Sequence, residues 1–245
     1  MLSEERIREY IEEHIQEFHQ NRLARLRAIR LKVVLKRKNP YLFRAKNMTM
    51  ASELVESIFA AHLSSSEETL FGVFLENLAC FVCEQTYGGR RSATRGIDLE
   101  FERDGVRYFV TIKSGPNWGN TSQKEAMRRY FATLKKTLQT HALCERIVLV
   151  EGSCYGKGQT ENMGDFIRLR GQSFGTLISG NENLYIDIIE PLGHRAKERN
   201  DAFKVEYTKM VNRSTGEFIA SFCAPDGSIL WEKLLQFNSG ARTTT

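Results

Sequence analysis

The stretch GIDLEFERDGVRYFVTIKSGPNWG, from Gly96 to Gly119, decides the fold. It reads as a β-hairpin. Asp104-Gly105 is a two-residue turn signal, because a tight hairpin turn needs positive φ and glycine supplies it without a clash. With the turn there, Arg103 pairs with Val106, Glu100 lies opposite Phe109, and Asp98 opposite Thr111. Side chains alternate faces along a strand. One face then carries Ile97, Leu99, Phe101, Tyr108, Val110 and Ile112, and the other gathers Asp98, Glu100, Thr111 and Lys113. A slip of one residue would invert both faces, so the register is strongly specified.

Most hairpins with charges on one face simply present that face to water. Two features set this one apart. Lys113 leads straight into Ser114-Gly115-Pro116-Asn117-Trp118-Gly119-Asn120, a donor-rich loop with one aromatic. Asp98 follows Arg95-Gly96, where a glycine lets another backbone or a ligand come close.

An aspartate and a lysine on hairpin-joined strands form the core of the PD-(D/E)xK nucleases, and the chain resembles that superfamily. Asp98 stands for the aspartate and Thr111-Ile112-Lys113 for the (D/E)xK triplet. Further blocks resemble the type II restriction endonucleases of the PmeII kind: NPYLFRAK at 39–46, SSSEET at 64–69, GIDLEF at 96–101, IKSGPNWGN at 112–120, FIRLRGQ at 166–172 and DGSILW at 226–231. Thr111 departs from the pattern, since the superfamily usually has an acid there. The resemblance implies a restriction-endonuclease-like α/β (α+β) core, a mixed sheet flanked by helices. It implies Mg²⁺, with Mn²⁺ able to substitute, held by Asp98, the Ile112 carbonyl and a second carboxylate from Glu76 or Glu100. Lys113 would act on the attacking water or the phosphate, and Thr111 on a metal-bound water.

The order around the hairpin agrees. Residues 64–86 read as a helix opened by a Ser65/Glu68 capping box and stopped at Gly88-Gly89, with Glu76 its only carboxylate in an apolar span. A basic helix over 121–140, capped by Thr121 or Ser122, precedes a short apolar strand, Arg146–Glu151, expected to run parallel to its neighbour.

Outside the hairpin, charge is the main signal. The chain has 245 residues and a net charge of +5. Residues 4–17 hold six acids and two bases; residues 18–52 hold ten bases and no acid. Such a run is a polyanion footprint. Residues 3–35 read as one helix or two, with Ile7, Ile11, Ile15 and Phe18 on a stripe suited to packing or dimerisation. Asn39-Pro40 ends that region, and a helix over about 50–62 follows. We therefore divide the chain into a helical basic arm (1–49), a nuclease domain with recognition loops (50–238) and a disordered tail (239–245). Arg37, Lys38, Arg44 and Lys46 of the arm, Ser114, Asn117, Trp118 and Asn120 of the loop, and Arg168, Arg170 and Gln172 of a glycine-rich irregular stretch (152–180) are the candidate DNA contacts. Leu184–Ile189 reads as a strand or a helix start, 194–213 as a helix and 218–222 as a strand.

Other chemistries find less support. GQSFG at 171–175, followed by Asp187 and His194, mimics a hydrolase elbow, but no clear strand precedes Ser173. Cys80 and Cys83 form a lone C-x-x-C in an apolar helix, which reads as core. The five histidines are isolated. Five scattered cysteines make no secreted disulfide framework, and no apolar run nears the ~18 residues of a membrane span. The expectation is a prokaryotic cytoplasmic homodimer that cuts double-stranded DNA at a short site, beside a methyltransferase acting on the same site without needing to bind. The alternative is a catalytically inactive nucleic-acid-binding protein on the same fold.

Overall fold

The computed structural model describes residues 2–140 and 146–241. Its elements are α1 (Glu4–Ala28), α2 (Leu31–Leu35), α3 (Pro40–Ala45), α4 (Ala51–Tyr87), β1 (Arg90–Arg91), β2 (Leu99–Arg103), β3 (Val106–Lys113), α5 (Thr121–Thr140), β4 (Arg146–Ser153), β5 (Glu161–Asn162), β6 (Ile167–Arg170), α6 (Gln172–Ser179), α7 (Leu184–Asp187), α8 (Ile189–Leu192), α9 (Ala196–Phe222) and α10 (Trp231–Ser239). They form two compact units, each built from separated stretches: residues 1–16 with 71–194, and 17–70 with 195–245.

The first unit holds the sheet, ordered β1-β2-β3-β4-β6-β5 among the described residues. The predicted hairpin register holds, with Arg103 opposite Val106 and Glu100 opposite Phe109. Asp104 and Gly105 both take positive φ at the turn. β4 pairs parallel to β3 and β6 parallel to β4, so β3 and β4 are central strands. On one face, Met127, Phe131 and Leu134 of α5 pack on Phe109 and Leu149. On the other, Tyr87 of α4 stacks on Phe101, and Phe101 on Tyr108, with centroids 5.7 and 4.9 Å apart. The sheet is thus covered on both faces, and Phe131, 1% exposed, contributes about 2–3 kcal/mol by burial alone.

Two predicted helices, 50–62 and 64–86, are one. The serines at 64–66 lie inside α4, without the predicted cap. No Gly or Pro falls between residues 51 and 71, and the Thr69 hydroxyl donates back to the Ser65 carbonyl at 3.0 Å, so the polar stretch is absorbed into the helix. α4 does stop at Gly88, whose φ is +66, and the Gly89 amide closes the end on the Cys83 carbonyl. The expected irregular stretch 152–180 contains β5, β6 and α6; its glycines punctuate these elements, with positive φ at Gly156, Gly164, Gly171 and Gly180. Leu184–Ile189 resolves into the short helix α7 and the start of α8. The stripe Ile7, Ile11, Ile15 is 4%, 0% and 2% exposed within this one chain, which removes it as a dimer face; beside it Tyr10 stacks on Phe81.

The second unit is helical. Leu54, Val55, Ile58 and Phe59 of α4 meet Leu26, Leu35, Met210, Phe218 and Leu234 in one core. Residues 218–222, expected as a strand, are the end of α9: Phe218 and Phe222 are buried at helical spacing while Ile219 between them is 46% exposed. Asn39-Pro40, expected only to end the preceding helix, also opens one: the Asn39 side chain caps α3. Of the expected tail, Ser239 ends α10, and residues 242–245 lie outside the described residues.

Candidate active site

Asp98 enters the sheet through a distortion that alternation alone does not predict. Gly96 has φ +81, and a Cβ there would stand 2.2 Å from the Tyr130 ring of α5. The Gly96 carbonyl accepts the Thr111 hydroxyl at 2.6 Å. The Asp98 amide then donates to Val110, the residue that Leu99 also faces, so two residues oppose one as in a β-bulge. This corrects the predicted faces. Ile97 joins Phe109 and Phe131 under α5 instead of sharing a face with Leu99.

The bulge aims the Asp98 carboxylate at β3. Its Oδ2 accepts the Ile112 amide at 2.7 Å. In extended backbone a residue's N–H and C=O point the same way, so the Ile112 carbonyl is directed to the Asp98 side. Two hard oxygens converge there. They suit Mg²⁺, which takes one or two carboxylates and keeps several waters.

Lys113 is held from its other side. Its ammonium lies 4.8 Å from the centroid of the Trp118 ring and has no carboxylate partner among the described residues. The Trp118 indole N–H donates to Glu151 at 2.8 Å. Glu151 is 2% exposed, stands in register with Thr111, and takes a second bond from Arg168 at 3.0 Å. That carboxylate pushes the Arg168 guanidinium above its ordinary range against the cost of burial. Arg168 and Arg170 both reach Glu161, at 3.1 and 2.6 Å.

The family described as type II restriction endonuclease EcoO109I matches residues 5–200, a span that includes the bulge, Lys113, Trp118 and Glu151. The chain belongs to this family. No curated protein matches it. Type II restriction endonuclease is therefore the frame for the remaining residues, and DNA the ligand.

Within that frame the two candidates for a second carboxylate are both engaged by arginine. Glu76 pairs with Arg91 at 3.1 Å, which raises the Arg91 guanidinium. Glu100 pairs with Arg90 at 2.6 Å and Arg107 at 3.5 Å. Among the described residues no group of three or more His, Cys, Asp and Glu could hold a metal ion. The site thus offers one carboxylate and one carbonyl, and water and phosphate oxygens would complete an ion's shell. Thr111, expected to face a metal-bound water, is 2% exposed with its hydroxyl proton given to Gly96.

Sequence reasoning missed Glu151 and Arg91. The signal for Glu151 was an acid closing an apolar strand buried on both faces, where a carboxylate needs partners. In the loop, Asn117 and Asn120 are exposed. Asn120 also caps α5, its side chain accepting from the Gln123 amide at 3.1 Å, in place of Thr121 or Ser122. Gln172 donates to the Glu182 carbonyl at 3.2 Å. In the second unit Arg44 lies over the Trp231 ring, and Lys46 ends α3.

The decoys resolve as well. A strand, β6, does precede GQSFG, contrary to expectation, but the positive φ falls on Gly171 and Ser173 lies inside α6. Asp187 binds Asn181 at 2.8 Å and His194 lies 3.5 Å from Glu12, so both would-be partners of Ser173 are engaged elsewhere than in a triad. Cys80 and Cys83 are core; burial pushes their thiols up to about 11 and about 12.

Proposed function

We propose that the chain hydrolyses phosphodiester bonds of double-stranded DNA at a specific short site, with Mg²⁺ as cofactor and Mn²⁺ able to replace it. The observation that carries this reading is the Asp98 carboxylate on the Ile112 amide, one residue before a lysine that no carboxylate neutralises among the described residues. Asp98 and the Ile112 carbonyl would hold the ion. When bound, it supplies an acidified water and neutralises charge on the phosphate. Lys113 offers its ammonium to a phosphate oxygen or to the attacking water. Trp118, locked by Glu151, sets where that ammonium lies. Glu76 meets Arg91 through Oε1 alone and would join the ion through its other oxygen, whereas Glu100, bonded to arginine through both oxygens, would first have to leave one.

The arm cations and the 114–120 loop supply DNA contacts in this reading, and Arg168, Arg170 and Gln172 contribute from the rim. The division into arm, nuclease domain and tail is part of the same proposal. So are a homodimer with one centre per strand, a cognate methyltransferase, a prokaryotic cytoplasmic setting and the finer kinship to the PmeII kind. Among the described residues no helix is long and apolar enough to cross a membrane. The rival is an inactive DNA-binding protein on this fold. Supercoiled plasmids carrying varied sites, incubated with Mg²⁺ or with EDTA, separate the two. Discrete fragments with Mg²⁺ alone support the enzyme; binding without cleavage in either buffer supports the rival.

A further inference from the structure

The second unit contains a cavity of about 390 Å³ lined by Arg25, Arg30, Arg37, Lys38, His62 and Ser65, its remaining lining being alanine, valine and isoleucine. Its cations differ from the paired arginines of the molecule. Arg22 faces Glu67, Arg27 faces Glu206 at 3.5 Å, and Arg91 faces Glu76. Arg25, Arg30, Arg37 and Lys38 face no carboxylate among the described residues. Arg30 donates to the Arg27 and Ile29 carbonyls only.

The cavity is built as well as charged. Asn238 of α10 donates to the Leu35 and Lys38 carbonyls at 2.9 and 3.0 Å, fixing the turn that carries Arg37 and Lys38. Lys36 points away, over the Phe237 ring. Four like charges and an imidazole converge where a carboxylate would relieve their repulsion, yet no acid lines the space. Burial first, then Lys38, Arg37 and Arg25, hold His62 below its ordinary range. A water occupies about 30 Å³, so the cavity admits an oxyanion with part of its hydration.

We infer that this cavity is a phosphate-binding site for the DNA backbone, with Arg25, Arg30, Arg37 and Lys38 as its cations and His62 as a further donor when protonated. The assignment rests on the DNA-binding reading and is independent of cleavage. Apart from the His62 imidazole no aromatic ring lines the cavity, and Ser65 is the other neutral donor, so phosphate contact dominates and is indifferent to sequence. Bound phosphate favours the charged imidazole, so by linkage the contact tightens as pH falls through the His62 range.

The test is an NMR titration of the histidine ring protons in EDTA buffer, with His62→Gln assigning the resonance. Three arms are compared at equal ionic strength: chloride, inorganic phosphate, and a duplex of arbitrary sequence. The duplex is expected to raise the His62 pKa by about one unit, and phosphate at millimolar concentration to raise it in the same direction. An unmoved His62 with the duplex overturns the DNA assignment, even if phosphate shifts it; no shift in either arm removes the site altogether. Arg25→Gln with Arg37→Gln should also shallow the slope of log K against log salt by about 0.9, one phosphate contact. An unchanged slope in a variant of unchanged circular dichroism overturns the proposal. Because every arm lacks divalent metal, failure here leaves the plasmid result untouched.

Discussion

Two clusters of arginine and lysine handle charge in opposite ways. Under α5, the cations near Lys113 are matched: Arg168 and Arg170 share Glu161, Arg168 also binds buried Glu151, and Glu151 holds the indole on which Lys113 rests. In the helical unit, Arg25, Arg30, Arg37 and Lys38 surround a cavity that no acid lines among the described residues. Matched charges fix geometry, because each bond restricts the next. Unmatched charges stay available, because their repulsion is relieved only by something bound. A nuclease needs both, one lysine held in a set place and a surface that attracts a polyanion.

Breaking the matched cluster should have the largest effect on stability. Glu151→Leu removes one partner of a buried pair, a change that costs about 3–5 kcal/mol. Arg168 is 20% exposed and keeps Glu161, so the low end is expected. Urea unfolding measures it; a loss under about 1 kcal/mol would demote the pair to a surface bridge. Adding Arg168→Met should recover most of the loss.

Trp118 separates position from packing. Trp118→Phe keeps an aromatic face for Lys113 but loses the bond to Glu151, whereas Trp118→Leu loses both. A cation–π contact contributes about 0.5–1 kcal/mol at an exposed site. Single-turnover cleavage at saturating DNA should therefore fall further for Leu than for Phe, beyond any change in DNA affinity that loss of the loop contact brings. Equal rates for the two variants would mean that the ring face does not position the lysine.

Matching the unmatched cluster should act on stability and function in opposite directions. Ala61→Glu places a carboxylate at the cavity wall. It should stabilise the fold by about 0.2–1 kcal/mol and raise the His62 pKa while weakening duplex binding. Stability and binding that both stay put would show that the cations never converge.

The smallest effect concerns His19, which burial, Arg199 and Arg22 lower to about 4. The unfolded chain, with an ordinary histidine near 6.5, binds the proton more readily across that window. Its contribution is complete above pH 6.5 and is lost as pH falls toward 4. Melting temperature should drop between pH 7 and pH 5, less steeply in His19→Gln; parallel profiles would contradict this.

Much of the matched region was legible in the sequence. Asp104-Gly105 fixed the hairpin register, and the apolar run at 147–150 announced a strand covered on both faces. What alternation could not reveal was the bulge at Asp98, because a side-chain bond to a backbone amide overrides strand periodicity there. Glu151 and Trp118 lie 33 residues apart, and only the β3–β4 pairing brings them together. Local polarity misled at 64–66, where helix packing absorbed three serines, and glycine density hid β6 and α6. The basic run was plain from composition, but its convergence on His62 comes from residues far apart in sequence, which composition does not reveal.

Cleavage by Asp98→Asn tests the central claim most directly. Asparagine keeps an oxygen to accept the Ile112 amide, so the bulge and the fold survive, and only the carboxylate charge is lost. In single-turnover plasmid cleavage at saturating Mg²⁺, the variant should lose at least about a thousandfold in rate while its unfolding curve and duplex affinity in EDTA match the parent. Cleavage within a few fold of the parent would contradict the assignment of Asp98 to the reacting centre.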